Sequence, residues 1–451
     1  MRNGEITLGQ AAQWCGGTVA AAFAERTFHG ANFDTRRLKP GELFAALSGA
    51  RDGHDFVRNA LEKGAAAVLA SKPLAPDVPA IYVRDTVSAL QQIASAYRRT
   101  LPLKSIGITG SVGKTTTKEM IAAVLETAYR TEKTAENFNN GIGLPVTVLG
   151  LGNDCEAAVL EMGMNHFGEL SVLTRIAQPD FAVITNIGTM HIENLGSREG
   201  ILRAKLEILE GLRPGGRAIF NGDDDLLLSA ARQYGAVCFG RSEDCDIRAL
   251  DIRADGGKTF FTARAEGEAF PVELPVAGIH NVSNALAAIA VGLQMDVPVS
   301  GIQEGLARFH NTGMRQRICD LDGVTVIEDC YNAGPESMRA AFQVLQDTKT
   351  AGRRIAVLGG MLELGGHAPQ AHYEVGKAAA QAADLLYAYG SNSEQSVKRA
   401  REKGIIAEEY PTHEALAEAL KRTVRAGDVL LVKGSRGMRM ERVLELLKNK
   451  G

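Results

Sequence analysis

Lys104-Ser-Ile-Gly-Ile-Thr-Gly-Ser-Val-Gly-Lys-Thr-Thr116 is the stretch on which the reading of this chain turns. Its first six residues form an apolar, strand-like run. Glycines at 110 and 113 follow, and then Met120, Ile121, Val124, Leu125 and Ala128 recur at helical spacing, which predicts a helix from Lys114 to about Ala128. A strand, a glycine loop and a helix in that order make a phosphate cradle. The loop N–H groups point inward and the helix adds its positive end. The predicted nucleotide loop is therefore Gly110, Ser111, Val112, Gly113, Lys114, Thr115 and Thr116. Lys114 reaches the β- and γ-phosphates of ATP, and the Thr115 hydroxyl is placed for Mg²⁺. The pattern is a short variant, G-x-x-G-K-T, with the first glycine closer than in the full motif.

Apolar strand runs continue downstream at Ala157–Leu160, Phe181–Thr185 and Ala218–Phe220, with helical patterns between several of them. Such alternation predicts a mainly parallel sheet with helices on both faces. Upstream, to about Leu103, lie shorter runs at Leu43–Leu47, Ala66–Leu69 and Ala80–Val83, and helical stretches at Phe56–Lys63 and Val87–Arg98. Arg99-Thr-Leu-Pro-Leu-Lys104 looks like a linker. From near Asn311 the alternation resumes: Val324–Ile327, a helix from Ser337, Ile355–Leu358, a helix through Glu374–Ala383, Leu385–Tyr389 and Val429–Val432. The expected fold is α/β in three domains. They are a small N-terminal α/β domain (1–103), a central P-loop ATPase with a mainly parallel sheet (104–312), and a C-terminal Rossmann-like domain (313–451).

Polar residues at strand ends narrow the chemistry, because open α/β sheets bind ligands at the carboxyl edge. Glu161 closes one run and His191 follows another, so both are candidates for holding a divalent metal beside the nucleotide. A solvated or capping acid and a loop histidine are the plainer readings. Lys205 falls in a predicted helix, Arg198–Leu212. Ile201, Leu202, Ile208 and Leu209 surround it at offsets of three and four, and no acid stands there to pair with it. A buried, unpaired ammonium is costly and loses its proton easily. A neutral amine there can add CO₂ to give an anionic carbamate, while a lysine that snorkels to solvent is the plainer reading. Asn281 starts an alanine-rich helix, and a capping role accounts for it. Glu328-Asp-Cys-Tyr-Asn-Ala-Gly-Pro335 and Lys433-Gly-Ser-Arg436 close two further strands with polar turns.

Bulk properties exclude several classes. The 451 residues suffice for two or three domains, and 45% apolar with 23% charged residues is ordinary globular composition. A net charge of -3 predicts no nucleic-acid or anionic-membrane surface. Six scattered cysteines without a C-x-x-C pair suggest neither zinc nor a disulfide framework, which points to the reducing cytoplasm. Met1–Gly9 has no apolar signal core, and the longest apolar stretch, around Ala285–Leu293, is too short to cross a bilayer.

Taken together, these motifs resemble the Mur ligases of bacterial cell-wall synthesis. The resemblance runs the length of the chain, in order: Asp34-Thr-Arg36 with Asp52-Gly-His-Asp55, the short P-loop, Glu161-Met-Gly-Met-Asn165, Thr185-Asn-Ile-Gly188 with His191, Ala204-Lys-Leu-Glu207, Gly278-Ile-His-Asn281, Tyr331-Asn-Ala333 with Pro335, Leu358–Gly365, and Lys433-Gly-Ser-Arg436. The Y-N-A-x-P turn and the M-L-E-L-G run are particular to the branch that adds D-Ala-D-Ala. The resemblance implies an ATP-dependent ligase that joins UDP-MurNAc-tripeptide to D-Ala-D-Ala, as a cytoplasmic monomer. It implies that Lys114 and Thr115 hold nucleotide and Mg²⁺, that Thr115, Glu161, His191 and Lys205 gather at the metal, and that Lys205 is carbamylated. It assigns Asn281 to adenine, Asp329 to ribose and Arg315 to the nucleotide. Thr35 and Arg36 fall to the UDP moiety, and Asn332, Lys433, Ser435 and Arg436 to substrate. Two positions depart from the family pattern: Gly334 stands where asparagine is usual, and Gly360 where aspartate is usual.

Other readings are a sibling ligase adding the third amino acid, a folylpolyglutamate synthetase, or a P-loop switch without ligation. The Asp34–Asp55 segment argues against the folate branch. A switch has no need of a third α/β domain with polar strand ends.

Overall fold

A computed structural model describes residues 5–311 and 313–448. Met1–Gly4, Thr312 and Asn449–Gly451 lie outside the described residues, so the expected boundary at 312/313 falls on one of them.

The central sheet has nine strands. Six of its neighbour pairs are parallel, running from Thr131–Lys133 through Ala157–Glu161, Lys104–Thr109, Phe181–Ile184, Arg217–Asn221 and Val237–Gly240 to Ile247–Asp255. Two antiparallel strands, Lys258–Ala265 and Glu268–Leu274, extend that edge. Lys104–Thr109 sits between its neighbours with Glu161 registered against Ile108 and Ile184 against Thr109. The residues that follow all three strands therefore emerge at one sheet edge. The nucleotide-loop helix, Lys114–Leu125, packs against Ile279–Gln294, whose alanines are buried almost throughout. The alternation behind the two antiparallel strands is visible along 247–274, with turns at Gly256-Gly257 and Gly267. The sheet is thus mainly parallel, as expected, but no strands had been assigned to this stretch.

The N-terminal sheet runs Thr18–Val19, Ala80–Tyr82, Ala67–Ala70, Leu43–Ala45, Ala31–Asn32, with all but the first strand parallel. The C-terminal sheet runs Arg317–Leu321, Val324–Asp329, Val429–Lys433, Arg354–Gly359, Leu385–Tyr389, Ile406–Tyr410. Only its first pair is antiparallel, and this is the Rossmann-like arrangement expected.

The segment expected to be a linker is a packed joint instead. Leu101 and Leu103 are buried. Arg98, 1% exposed, donates to the carbonyls of Ala177, Leu101 and Leu103 and to Ser105 Oγ. One continuous hydrophobic core holds Ile6, Leu43 and Leu90 together with Leu160, Ile184 and Phe220, so it crosses the joint. Proline and short spacing signalled a break, but the buried guanidinium and flanking leucines seal it. The Lys205 helix is also shorter than expected. Its α-helical part is Arg198–Leu206, and Glu207–Gly211 tightens to a 3₁₀ turn.

Candidate active site

Two glycines shape the nucleotide loop for steric reasons. A Cβ at Gly110 (φ 151°) would stand 1.9 Å from Thr185 Oγ1, and one at Gly113 (φ 88°) 2.6 Å from Asn284 Oδ1. No other residue lets the loop pass this close to its neighbours. Asn186 holds the loop from the adjacent strand end, accepting from Val112 N and donating to Val112 O. No side chain caps the helix at Lys114, so its first amides remain available to phosphate oxygens.

Lys114 Nζ donates to Gly110 O at 2.7 Å. Enclosure pushes its pKa down, Glu161 opposes that shift, and the Arg315 guanidinium adds to it. Thr115 Oγ1 donates to Glu161 Oε2 at 2.8 Å, and Asn139 Nδ2 to Glu161 Oε1 at 2.9 Å. Glu161 itself is 2% exposed. A buried carboxylate held on both oxygens is pinned in orientation. The Thr115 hydroxyl and the Glu161 carboxylate are hard oxygen donors of the kind Mg²⁺ takes alongside phosphate oxygens and water. Among the described residues there is no group of three or more His, Cys, Asp or Glu that could hold a metal.

Lys205 is 2% exposed, so it does not snorkel. Among the described residues nothing pairs with its ammonium, and its pKa lies well below the ordinary value through burial and then repulsion from Lys114. His191 adopts a left-handed backbone (φ 64°) before the turn Ile192–Leu195, and its Nδ1 lies 2.7 Å from Glu363 Oε2. This contact joins the central and C-terminal sheets and holds the Glu363 carboxyl below its usual range.

A cavity of about 680 Å³ gathers most of these parts, but Lys205 is not among the residues that line it. Ser111 through Thr116, Glu161, Asn281 and His191 line it from the central region, and Arg315, Asp329, Asn332 and Lys433 from the C-terminal one. Arg315 stacks on the Tyr331 ring at 3.8 Å. Lys433, 2% exposed, donates to Asp329 Oδ2 at 2.5 Å and to Asn332 O at 3.0 Å. Asn281 is not the helix cap, which is Gly278. Buried one turn in, it donates to Ala277 O at 2.7 Å.

Ser435 and Arg436 line a smaller adjoining cavity of about 110 Å³, which shares His191, Asn332 and Glu363 with the first. Thr35 and Arg36 line neither. Arg36 is exposed and pairs with Asp34, and the Thr35 carbonyl accepts from Lys63. Their loop touches the Asn137–Gly141 wall at one remove, through Arg37 with Glu136 and Phe33 with Phe138. Asn139, Glu363 and the His280–Gln316 pair, whose Nε2 atoms lie 2.7 Å apart, were not expected. The cluster Asn137-Phe-Asn-Asn140 was the available signal for Asn139.

The two family departures have local reasons. A Cβ at Gly334 would meet Met190 Cγ at 2.9 Å, and one at Gly360 the Ser391 carbonyl oxygen at 2.8 Å.

The chain is similar in sequence and in fold to known proteins. Residues 108–292 match the Mur ligase middle domain, 314–436 the Mur ligase glutamate ligase domain, and 27–98 the catalytic domain of the Mur ligase family. The chain is 43% identical over 450 residues to the UDP-N-acetylmuramoyl-tripeptide–D-alanyl-D-alanine ligase of Bacillus subtilis, covering 97% of each chain. Its fold superposes on a crystal structure of MurF from Acinetobacter baumannii with a TM-score of 0.90 at 32% identity, covering all of both chains. Against the MurF ligase of Thermotoga maritima in complex with ADP the TM-score is 0.83 at 31% identity, covering 94% and 97%. The chain belongs to the Mur ligase family, in the branch of the UDP-N-acetylmuramoyl-tripeptide–D-alanyl-D-alanine ligases.

Proposed function

We propose that the chain couples ATP hydrolysis to the addition of D-alanyl-D-alanine to UDP-N-acetylmuramoyl-tripeptide, through an acyl phosphate, in peptidoglycan precursor synthesis. The observation that carries this is the single cavity. A phosphate loop with its held carboxylate forms one wall, and a cationic, hydrogen-bonding C-terminal wall faces it. Phosphoryl transfer needs positioning and charge neutralisation more than covalent help, and the cavity supplies both.

The tripeptide carboxylate attacks the γ-phosphorus, the bond to the β-bridging oxygen breaks, and ADP leaves. The D-Ala-D-Ala amine then attacks the acyl carbon, and phosphate departs with its bonding pair as the amide forms. Lys114 leaves its own loop carbonyl to meet the phosphates. Asn281, Arg315 and Asp329 hold the nucleoside end. Asn332, Lys433, Ser435 and Arg436 receive the amine, in the smaller cavity beside His191. Thr115 and Glu161, with His191 beside them, would hold Mg²⁺, which when bound would supply positive charge at the phosphates. Lys205 is disposed to react with CO₂, losing a proton to become a carbamate. Its buried, unpaired amine supports this, since burial favours the neutral form to which CO₂ adds. Residues 1–103 bind the UDP-muramoyl peptide, with Thr35 and Arg36 near the UDP; 104–312 bind ATP, and 313–451 the amine. The chain works as a cytoplasmic monomer. No helix among the described residues is long and apolar enough to cross a membrane.

The test is a turnover assay. Sustained release of ADP and phosphate should require both substrates. D-Ala-D-Ala should far exceed D-Ala or L-Ala-L-Ala in kcat/KM, because wrong partners leave buried polar groups unpaired. AMP and pyrophosphate as products, or equal use of free amino acids, overturns the reading. Lys205→Ala should lose most activity while keeping the fold, and short carboxylates should restore part of it. ¹³CO₂ should give a carbamate signal in the parent and none in the variant. Normal turnover by Lys205→Ala removes the carbamate from the account.

A further inference from the structure

Six residues separate Cys238 from Cys245, and the sequence offers no reason to pair them. Folding does. Cys238 lies on the strand Val237–Gly240, and Cys245 in the connection to Ile247–Asp255. Both sulfurs converge on Gly222, in the turn after Arg217–Asn221. A Cβ built there would stand 2.6 Å from Cys245 Sγ and 2.8 Å from Cys238 Sγ. Gly240 opens the other side, where a Cβ would meet Cys245 Sγ at 2.9 Å. Two glycines thus leave room for a pair of adjacent thiols. The strand is also tied at this point, since Cys238 N donates to Asp246 Oδ2 at 2.7 Å.

We infer that Cys238 and Cys245 are a reversible oxidation site, a dithiol that a hydroperoxide converts to an intramolecular disulfide. Reactivity at sulfur needs access, and Cys238 has it. It is 4% exposed but lines a second surface cavity, together with Arg232 and Asp246, remote from the ATP site. Interaction with Cys245 draws its thiol below the ordinary value, while interaction with Cys238, then burial, raises that of Cys245. By contrast, Cys155 and Cys330 each donate to a backbone carbonyl, and burial pushes both up.

The chemistry balances. Cys238 thiolate attacks a peroxide oxygen, the O–O bond breaks, and the released hydroxide takes a proton to leave as water (as an alcohol from an alkyl hydroperoxide). Cys238 is then a sulfenic acid. Cys245 gives up its proton and attacks that sulfur, the S–O bond breaks, and water leaves. The sulfur pair loses two electrons and the peroxide gains them. Dithiothreitol reverses the bond by exchange.

The full chain, folded, should be treated with equimolar hydrogen peroxide, alkylated, and cut with trypsin without reduction. Trypsin cleaves after Arg241, so the bond joins two peptides. The expected result is one linked pair holding Cys238 and Cys245, two hydrogens lighter than the free peptides and released by dithiothreitol. In Cys245→Ser, dimedone should trap a sulfenic acid at Cys238, and Cys238→Ser should give neither adduct nor link. The inference fails if both thiols of the parent stay alkylatable while other cysteines oxidise. It also fails if links form at comparable yield among all six.

Discussion

Lys433→Met isolates the ion pair that ties two strand ends beneath the cavity. Exposed pairs are worth about 0–1 kcal/mol, but this one is not exposed. The Lys433 side chain is 2% accessible and that of Asp329 11%, with 2.5 Å between them. Removing the cation leaves a nearly buried carboxylate whose remaining partner is the amide of Gln316, at 3.3 Å. That case costs about 3–5 kcal/mol. At about 1.4 kcal/mol per tenfold, this is roughly a hundred- to several-thousand-fold in a local opening equilibrium. Hydrogen exchange followed by mass spectrometry reads it directly, through peptides spanning Val324–Asp329 and Val429–Lys433, which are paired in register. Protection there should fall by that factor, while Lys104–Thr109 changes little. The double variant Lys433→Met/Asp329→Asn should recover much of the loss, because the uncompensated charge has gone. If the single variant shifts protection less than about fivefold, or the double is no better than the single, burial of this pair does not carry the cost assigned to it.

Gly110→Ala should abolish ATP binding by titration calorimetry, since the added methyl would overlap Thr185 Oγ1 at 1.9 Å; retained affinity would sink the tight-loop geometry. The Glu363 carboxyl is held below its ordinary 4.5 by His191. Its contribution to the contact between sheets is therefore complete above that value and fades as pH falls through the lowered one; Glu363→Gln should remove this acid limb from a pH series of thermal melts. Gly360→Asp restores the family residue but drives a Cβ to 2.8 Å from a backbone oxygen, and should cost about 1–3 kcal/mol by denaturant unfolding. Gly334→Asn should cost less, since its obstacle is a flexible methionine side chain.

How far the sequence reached depended on whether a residue's role was local. The nucleotide loop was legible because its glycines, lysine and threonine act within a few positions of one another. Lys205 was half legible. Helical spacing put it on an apolar face, but only the packed fold decides between snorkelling and burial, and it is buried. Asn139 and Glu363 were not legible. Each matters through a partner far along the chain, Glu161 in one case and His191 in the other. The sheet edge that receives Ile247–Asp255 was missed because attention to strand–helix alternation obscured a period-two pattern. The joint at Arg98 was misread because proline and short spacing look the same in a flexible tether and in a sealed seam. What distinguishes them is four acceptors converging on one guanidinium, three of them backbone carbonyls.

That seam has a mechanical consequence. The first core runs unbroken from Ile6 to Cys245, whereas the two C-terminal clusters draw only on residues from Met314 onward. A chain fused at one junction and not at the other has a single articulation. The front two-thirds of the molecule is one block around a shared core, and the C-terminal third meets it through polar contacts such as His191 with Glu363 rather than through a common apolar interior.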